Sequence, residues 1–188
     1  MAAPRVSVDL GNVIKQADGF ERLASQLQER VTKRAVVTLA RRLGPQTNRL
    51  ISAELNLSTR QVGQRVTVTN GGDYVEVTAS GKAVPLSAFG AKWGGPSSAG
   101  ATAQIFRDSA PRTFVSTFIR AGAVLVRKFV GSKRAGRLPV RPLAGPAIAS
   151  LLLGRGPHQI EQPLDDFAQQ TLDAEVARLV ALEIEGIS

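Results

Sequence analysis

The hydrophobic repeat changes period once, near Arg65, and that change bounds what the chain can fold into. Upstream, Phe20, Leu23, Ala24, Leu27, Val31 and Ala35 recur at steps of three and four, one face of an amphipathic helix. Downstream, residues 65–69 and 74–78 alternate β-branched apolar and polar side chains around Asn70-Gly71, a strong hairpin signal. The valines are expected on the buried face, with the threonines, Tyr74 and Glu76 on the other. A chain that buries a helical stripe and then a strand stripe builds segregated elements, and the fold class expected is α+β.

The boundaries follow from capping chemistry. Asp18 with Glu21 reads as a capping-box variant that opens the first helix. Gly44-Pro45 reads as its end, with Pro45 starting a second, shorter helix to about residue 55 that turns Leu50, Ile51 and Leu55 inward. Ser58 with Gln61 repeats the capping-box pattern. After the hairpin, residues 101–106, 113–120 and 123–129 read as strands, the last two joined by a tight turn at Ala121-Gly122. Residues 131–137 read as a basic loop. Residues 138–143, with two prolines, suit only an edge strand. Residues 147–153 read as a short apolar turn or helix. Pro163 suits the first position of a C-terminal helix, with an apolar stripe of Leu164, Phe167, Ala168, Leu172, Val176, Leu179 and Val180. The reading is one domain over residues 1–188: N-terminal helices, a central antiparallel sheet or sandwich with a long loop, and a C-terminal amphipathic helix. Residues 1–18 are expected as an extended arm and residues 90–101 as a flexible, glycine-rich loop.

Charge is divided along the chain. The net charge is +9, but residues 82–157 hold 12 basic side chains against Asp108 alone. Residues 158–188 hold 7 acidic side chains against Arg178 alone. A cationic middle followed by an anionic end points to a polyanion, or to an acidic surface on the same or a neighbouring subunit. The candidate contact residues are Arg127, Lys128, Lys133, Arg134, Arg137 and Arg141, with Lys133, Arg134 and Arg137 on an exposed loop.

Catalytic chemistry finds little to work with. The absence of cysteine excludes thiol nucleophiles, disulfides and cysteine-based metal sites. One histidine, His158, makes histidine-paired catalysis and histidine metal sites improbable; it reads as a surface side chain. Asp165-Asp166 is explained by complementing a helix N-terminus. Residues 90–95 lack the Gly-Lys-Ser/Thr ending of a phosphate loop. Phe106, Phe114, Phe118 and Phe129 read as core, and Trp93 is the one candidate stacking ring outside a strand. Residues 143–153 are interrupted by Gly145, Pro146 and Ser150 and fall short of the ~20 apolar residues of a membrane span. No metal, cofactor or membrane role is expected, and the first residues lack an apolar signal core, so the reading is a soluble protein made in the cytoplasm.

Several strings, in order, are similar to those of a known family. They are Lys33-Arg34-Ala35 with Leu39-Ala40-Arg41; Leu57-Ser58 through Val62 and Arg65-Val66; Val84-Pro85-Leu86 with Phe89; Thr113-Phe114; Leu125-Val126-Arg127-Lys128; Leu138-Pro139-Val140; and Leu143-Ala144-Gly145-Pro146-Ala147-Ile148. Over residues 20–185 the chain resembles the minor tail protein Z family, the tail completion proteins of long-tailed bacteriophages. It departs from the family's form at Ala147, where a serine follows the Gly-Pro turn that leads to the last helix. The resemblance implies a non-enzymatic virion protein of the head-proximal neck, assembled in the host cytoplasm. It implies self-association into a six-fold ring, contacts with tail terminator or tail tube proteins and with head–tail connector proteins, and genomic DNA passing through the lumen. On charge alone, the competing expectation is a small basic cytoplasmic nucleic-acid-binding protein.

Overall fold

Burial along the first helix follows a strict four-residue step. Val31, Ala35, Leu39, Leu43, Thr47, Ile51 and Leu55 are all buried, and they lie on or directly after a single helix, α1 (Ser25–Glu54). The structure is a computed structural model that describes residues 5–8, 25–72, 74–127, 129–130, 133–134, 140–153 and 158–185. Asp18, Phe20, Glu21, Leu23 and Ala24 lie outside the described residues.

The expected break at Gly44-Pro45 does not occur: Pro45 lies inside α1. An interior proline costs about 3 kcal/mol. Leu39 and Leu43 on one side and Ile51 and Leu55 on the other are 0% exposed, and at about 2 kcal/mol each their burial outweighs that cost. Thr47 Oγ1 donates to the Leu43 carbonyl at 2.8 Å, which satisfies this buried hydroxyl within the helix. A four-residue step advances about 40° around a helix, so the stripe winds. The first half of α1 meets the C-terminal helix, through Thr38 and Arg34. The second half meets the hairpin at Gly44 and Val68, and the next helix at Asn48 and Gly63.

That next helix, α2 (Thr59–Gly63), is capped as its sequence implies. Ser58 Oγ accepts from the Gln61 amide while Gln61 Oε1 accepts from the Ser58 amide. Strands β2 (Val66–Asn70) and β3 (Val75–Ala79) form the hairpin, with Val68 opposite Val77 and Asn70 opposite Val75. Val75 and Val77 are fully buried, Val66 and Val68 partly, and Tyr74 is exposed. On the other side of β3 lies β1 (Arg5–Val8), paired antiparallel, so part of the expected N-terminal arm is a strand of this sheet.

The remaining strands are divided among small antiparallel sheets rather than one. β4 (Ala83–Pro85) leads into a 3-10 turn (Leu86–Phe89), which buries Leu86 and Phe89. β5 (Lys92–Trp93) pairs with β6 (Gly100–Ala103), so within residues 90–101 the connection narrows to residues 94–99. β6 is also shorter than the expected 101–106 strand. The single strand expected over 113–120 is two, β7 (Arg112–Val115) and β8 (Thr117–Arg120), because Ser116 adopts φ 61°. That left-handed residue carries the chain from the β5–β6–β7 sheet into another. The buried Thr117 hydroxyl accepts from the Ala101 amide at 2.8 Å and donates to the Phe114 carbonyl, holding the corner.

β8 turns through Ala121 and Gly122, both at positive φ, into β9 (Ala123–Arg127); this is the primed turn that suits a two-residue hairpin. β12 (Val140–Pro142) pairs only with β9, as an edge strand with two nearby prolines should. Gly145-Pro146 is not a turn into the last helix. It lies in β13 (Ala144–Ala147), paired irregularly with β4, and a Cβ on Gly145 would meet the Phe89 ring at 2.7 Å. The short helix α3 (Ala149–Leu152) follows. The last helix, α4 (Glu161–Glu185), begins at Glu161, ahead of Pro163, and packs Leu164, Ala168, Leu172, Leu179 and Val180 into the core. The fold is α+β.

Candidate interaction surface

Four of the six expected contact residues lie in described strands: Arg127 ends β9, Lys133 and Arg134 pair with a short strand, and Arg141 lies in β12. β10 (Phe129–Val130) pairs antiparallel with β11 (Lys133–Arg134), and β12 pairs antiparallel with β9 in a separate sheet. Phe129 lies opposite Arg134, Val130 opposite Lys133, Arg127 opposite Val140, and Val126 opposite Arg141. Over residues 123–142 this hairpin carries six basic side chains and no acidic one. Its root is fixed by burial: Val124, in β9, is 1% exposed and faces the core. Arg141 is exposed at the edge of the same sheet. Lys133 and Arg134, expected in a loop, are instead paired strand residues. Lys128 and Arg137 lie outside the described residues.

The acidic helix does different electrostatic work. Glu175 is only 6% exposed, between α4 and α1. Arg178 reaches it with two hydrogen bonds, Nε to Oε2 at 3.0 Å and Nη2 to Oε1 at 2.6 Å, and Thr38 Oγ1 donates to Oε1 at 3.2 Å. The Arg178 hydrogen bonds hold this carboxyl below the ordinary glutamate range against the opposing effect of burial, and Thr38 and Arg42 reinforce them. Arg34 pairs with Glu183 at 3.6 Å. Among the described residues, the ion pairs of α4 thus run to α1 and within α4.

Asp165, one turn into α4, is pushed above the ordinary aspartate range. Partial burial is the main cause, and the neighbouring Glu161 and Asp166 add repulsion.

His158 is not the surface side chain expected. It is 20% exposed, its Nδ1 lies 2.8 Å from Glu54 Oε2, and its ring stacks on Phe106 at 4.0 Å between centroids. Phe106 belongs to a segment tied to the end of α1: it bridges Leu55, and Arg107 Nε donates to the Ser52 carbonyl at 2.6 Å. The cluster joins three segments distant in sequence, and no local pattern around His158 signals it.

A second missed feature is a cleft of about 280 Å³ lined by Trp93, Pro96, Ser98, Ala99, Ser116, Thr117 and Phe118. Trp93 is 36% exposed and lies 6.5 Å from Phe118 between ring centroids, tilted by 58°. Among the described residues there is no group of histidine and carboxylate side chains placed to hold a metal ion, and no helix is long and apolar enough to cross a membrane. The chain matches no protein-family model, no curated protein and no solved structure.

Proposed function

We propose that this protein is a non-enzymatic virion protein of a long-tailed bacteriophage. In this reading it is a tail completion component that closes into a six-fold ring at the head-proximal end of the tail. It meets tail terminator or tail tube proteins on one side and head–tail connector proteins on the other. The observation that carries the reading is the run of six basic residues and no acidic one over 123–142, on a segment whose β9 is anchored in the core through Val124. A run of cationic residues suits the phosphates of DNA passing through a lumen, a sequence-independent contact. The ordered resemblance to the minor tail protein Z family over residues 20–185 supports it.

A closed ring needs a head-to-tail contact between unlike surfaces. The exposed carboxylates of α4, Glu161 and Asp166, offer an anionic surface for the cationic hairpin of the next copy. Complementary charge of that kind sets register and orientation.

Negative-stain microscopy of the purified protein, and labelling of it on intact tails, tests the reading. Rings and label at the neck end are expected; neither ring nor neck label sinks it. A variant carrying Lys133→Glu, Arg134→Glu and Arg137→Glu should melt at the wild-type temperature yet fail in head–tail joining. If all three meet phosphate, the slope of log affinity for duplex DNA against log salt falls by about 3. Tight, steeply salt-dependent DNA binding by a stable monomer would favour the small nucleic-acid-binding protein instead.

A further inference from the structure

We infer that the groove around Arg65 binds a small phosphomonoester with an apolar body, the phosphate among hydroxyls and the body in an adjoining apolar cleft. The inference goes beyond the virion reading and uses neither the basic run nor the acidic helix. Two clefts meet at Gln64 and Arg65, which line both. The first, of about 260 Å³, lies along the β2–β3 hairpin and is also lined by Thr67, Thr78 and Ser80. The second, of about 380 Å³, lies between α2, the Leu86–Phe89 turn and the β8–β9 turn, over Leu57, Val84 and Ala88.

The strand register gathers the polar groups on one face. Thr67 stands opposite Thr78, and the Ser80 amide donates to the Arg65 carbonyl at 2.8 Å, which carries the ladder one step past both strands. Side chains two residues apart share a face, so Arg65, Thr67, Thr78 and Ser80 stand together, opposite the valines that pack into the core. Arg65 is half-buried, and among the described residues it enters none of the ion pairs. No acidic side chain lines either cleft; Glu76, the next residue of β3 on this face, lies outside both. A guanidinium partly withdrawn from water and lacking a counter-ion attracts an anion more strongly than one in open solvent.

The neighbouring donors select the shape of the anion. Ser80 Oγ accepts from the Lys82 amide at 3.3 Å, which leaves its own hydrogen to donate to a ligand. Thr78 turns its hydroxyl to the Thr67 carbonyl at 3.4 Å, so the donors left are the Arg65 fork, the Ser80 and Thr67 hydroxyls and the Gln64 amide. A planar carboxylate offers two oxygens to such a set. A phosphomonoester offers three, arranged in a tetrahedron, with about two negative charges. The second cleft then decides between free phosphate and an ester. Its floor is apolar, with Leu57 2% and Val84 1% exposed, and it rewards a body that covers those side chains.

The test is calorimetric titration of the full chain with hexyl phosphate. Saturable binding at one site per chain is expected, about tenfold or more tighter than inorganic phosphate. Hexanoate, with the same body and a carboxylate head, should bind about tenfold more weakly. Arg65→Gln should weaken hexyl phosphate by about tenfold to a hundredfold, and Thr67→Val by a smaller factor, both at the wild-type melting temperature. Arg49→Gln, an exposed change on α1, should leave the affinity unchanged. Inorganic phosphate or hexanoate binding as tightly as hexyl phosphate overturns the proposal. So does an equal loss in Arg65→Gln and Arg49→Gln, which would reduce the effect to diffuse charge. If Arg65→Gln melts early, Thr67→Val decides, and an unchanged affinity there overturns the proposal. Displacement of hexyl phosphate by an equal concentration of duplex phosphate also overturns it, because the groove would then belong to a nucleic-acid surface.

Discussion

The two long helices and the β9–β12 hairpin both carry concentrated charge and treat it in opposite ways. Between α1 and α4, Glu175 is buried and met by Arg178 and Thr38, and Glu183 is met by Arg34. Over residues 123–142, which span that hairpin, the sequence holds six basic residues and no acidic one. Charge that is buried and hydrogen-bonded specifies how two elements pack, whereas charge of one sign at a surface repels itself and awaits something outside the chain. The contrast separates what holds this molecule together from what it offers to a partner. Changes in the helical pair should therefore move stability and leave polyanion affinity alone, and changes in the hairpin should do the reverse.

The largest effect is expected from Leu39→Ala. Leu39 is 0% exposed, and removing it costs about 2–5 kcal/mol through lost burial and a residual cavity. Urea unfolding should show it, while DNA affinity measured well below the melting temperature stays at the wild-type value. A loss of affinity in the folded variant would break the separation between the regions. Glu175→Gln comes next, at about 1–3 kcal/mol, since hydrogen bonds to a charged group are lost. Because Arg178 lowers the Glu175 carboxyl, its contribution is complete above the ordinary glutamate range and disappears as pH falls through the lowered value. Unfolding curves collected stepwise down the pH scale should show wild type losing its advantage over the glutamine variant there. A difference that stays constant with pH would mean that Glu175 acts by packing alone.

Much of this architecture was legible because it rests on local chemistry. The Ser58–Gln61 capping box, the Asn70-Gly71 hairpin and the Ala121-Gly122 turn each follow from residues within reach of one another. The errors arose where distant packing prevailed over a local signal. Gly44-Pro45 reads as a helix end until Leu39 and Ile51 are seen to share one buried stripe. Gly145-Pro146 reads as a turn until Phe89 is found against Gly145. Ser116, which divides one expected strand into two, has no local signature for its left-handed backbone; Thr117 holds it through Ala101 and Phe114. The same holds for candidate sites. The cationic hairpin is contiguous in sequence and was visible as composition, though not as paired strands. The Trp93–Phe118 cleft and the Glu54–His158–Phe106 cluster join segments far apart in the chain, so no spacing rule reports them.

The smallest expected effect sharpens the comparison within α4 itself, because Asp165 and Glu175 are carboxylates of one helix with opposite linkage. Asp165 is raised, chiefly by burial and further by Glu161 and Asp166. A raised carboxyl keeps its proton longer in the folded chain than in the unfolded one. Stability from this group is therefore present below the ordinary aspartate range and declines as pH rises through the raised value, the reverse of Glu175. The helix dipole works against that decline by favouring negative charge in the first turn, so the net change is smaller than for Glu175. Asp165→Asn removes the titration while keeping the shape. It should make the protein slightly more stable than wild type at neutral pH and equal to it in acid, read by thermal melts at both. If the variant is instead less stable at neutral pH, the dipole outweighs repulsion, and the acidic start of α4 is satisfied within its own chain. If it is more stable, that end of the helix carries anionic charge in excess of what the fold neutralises, the counterpart of the basic run over residues 123–142.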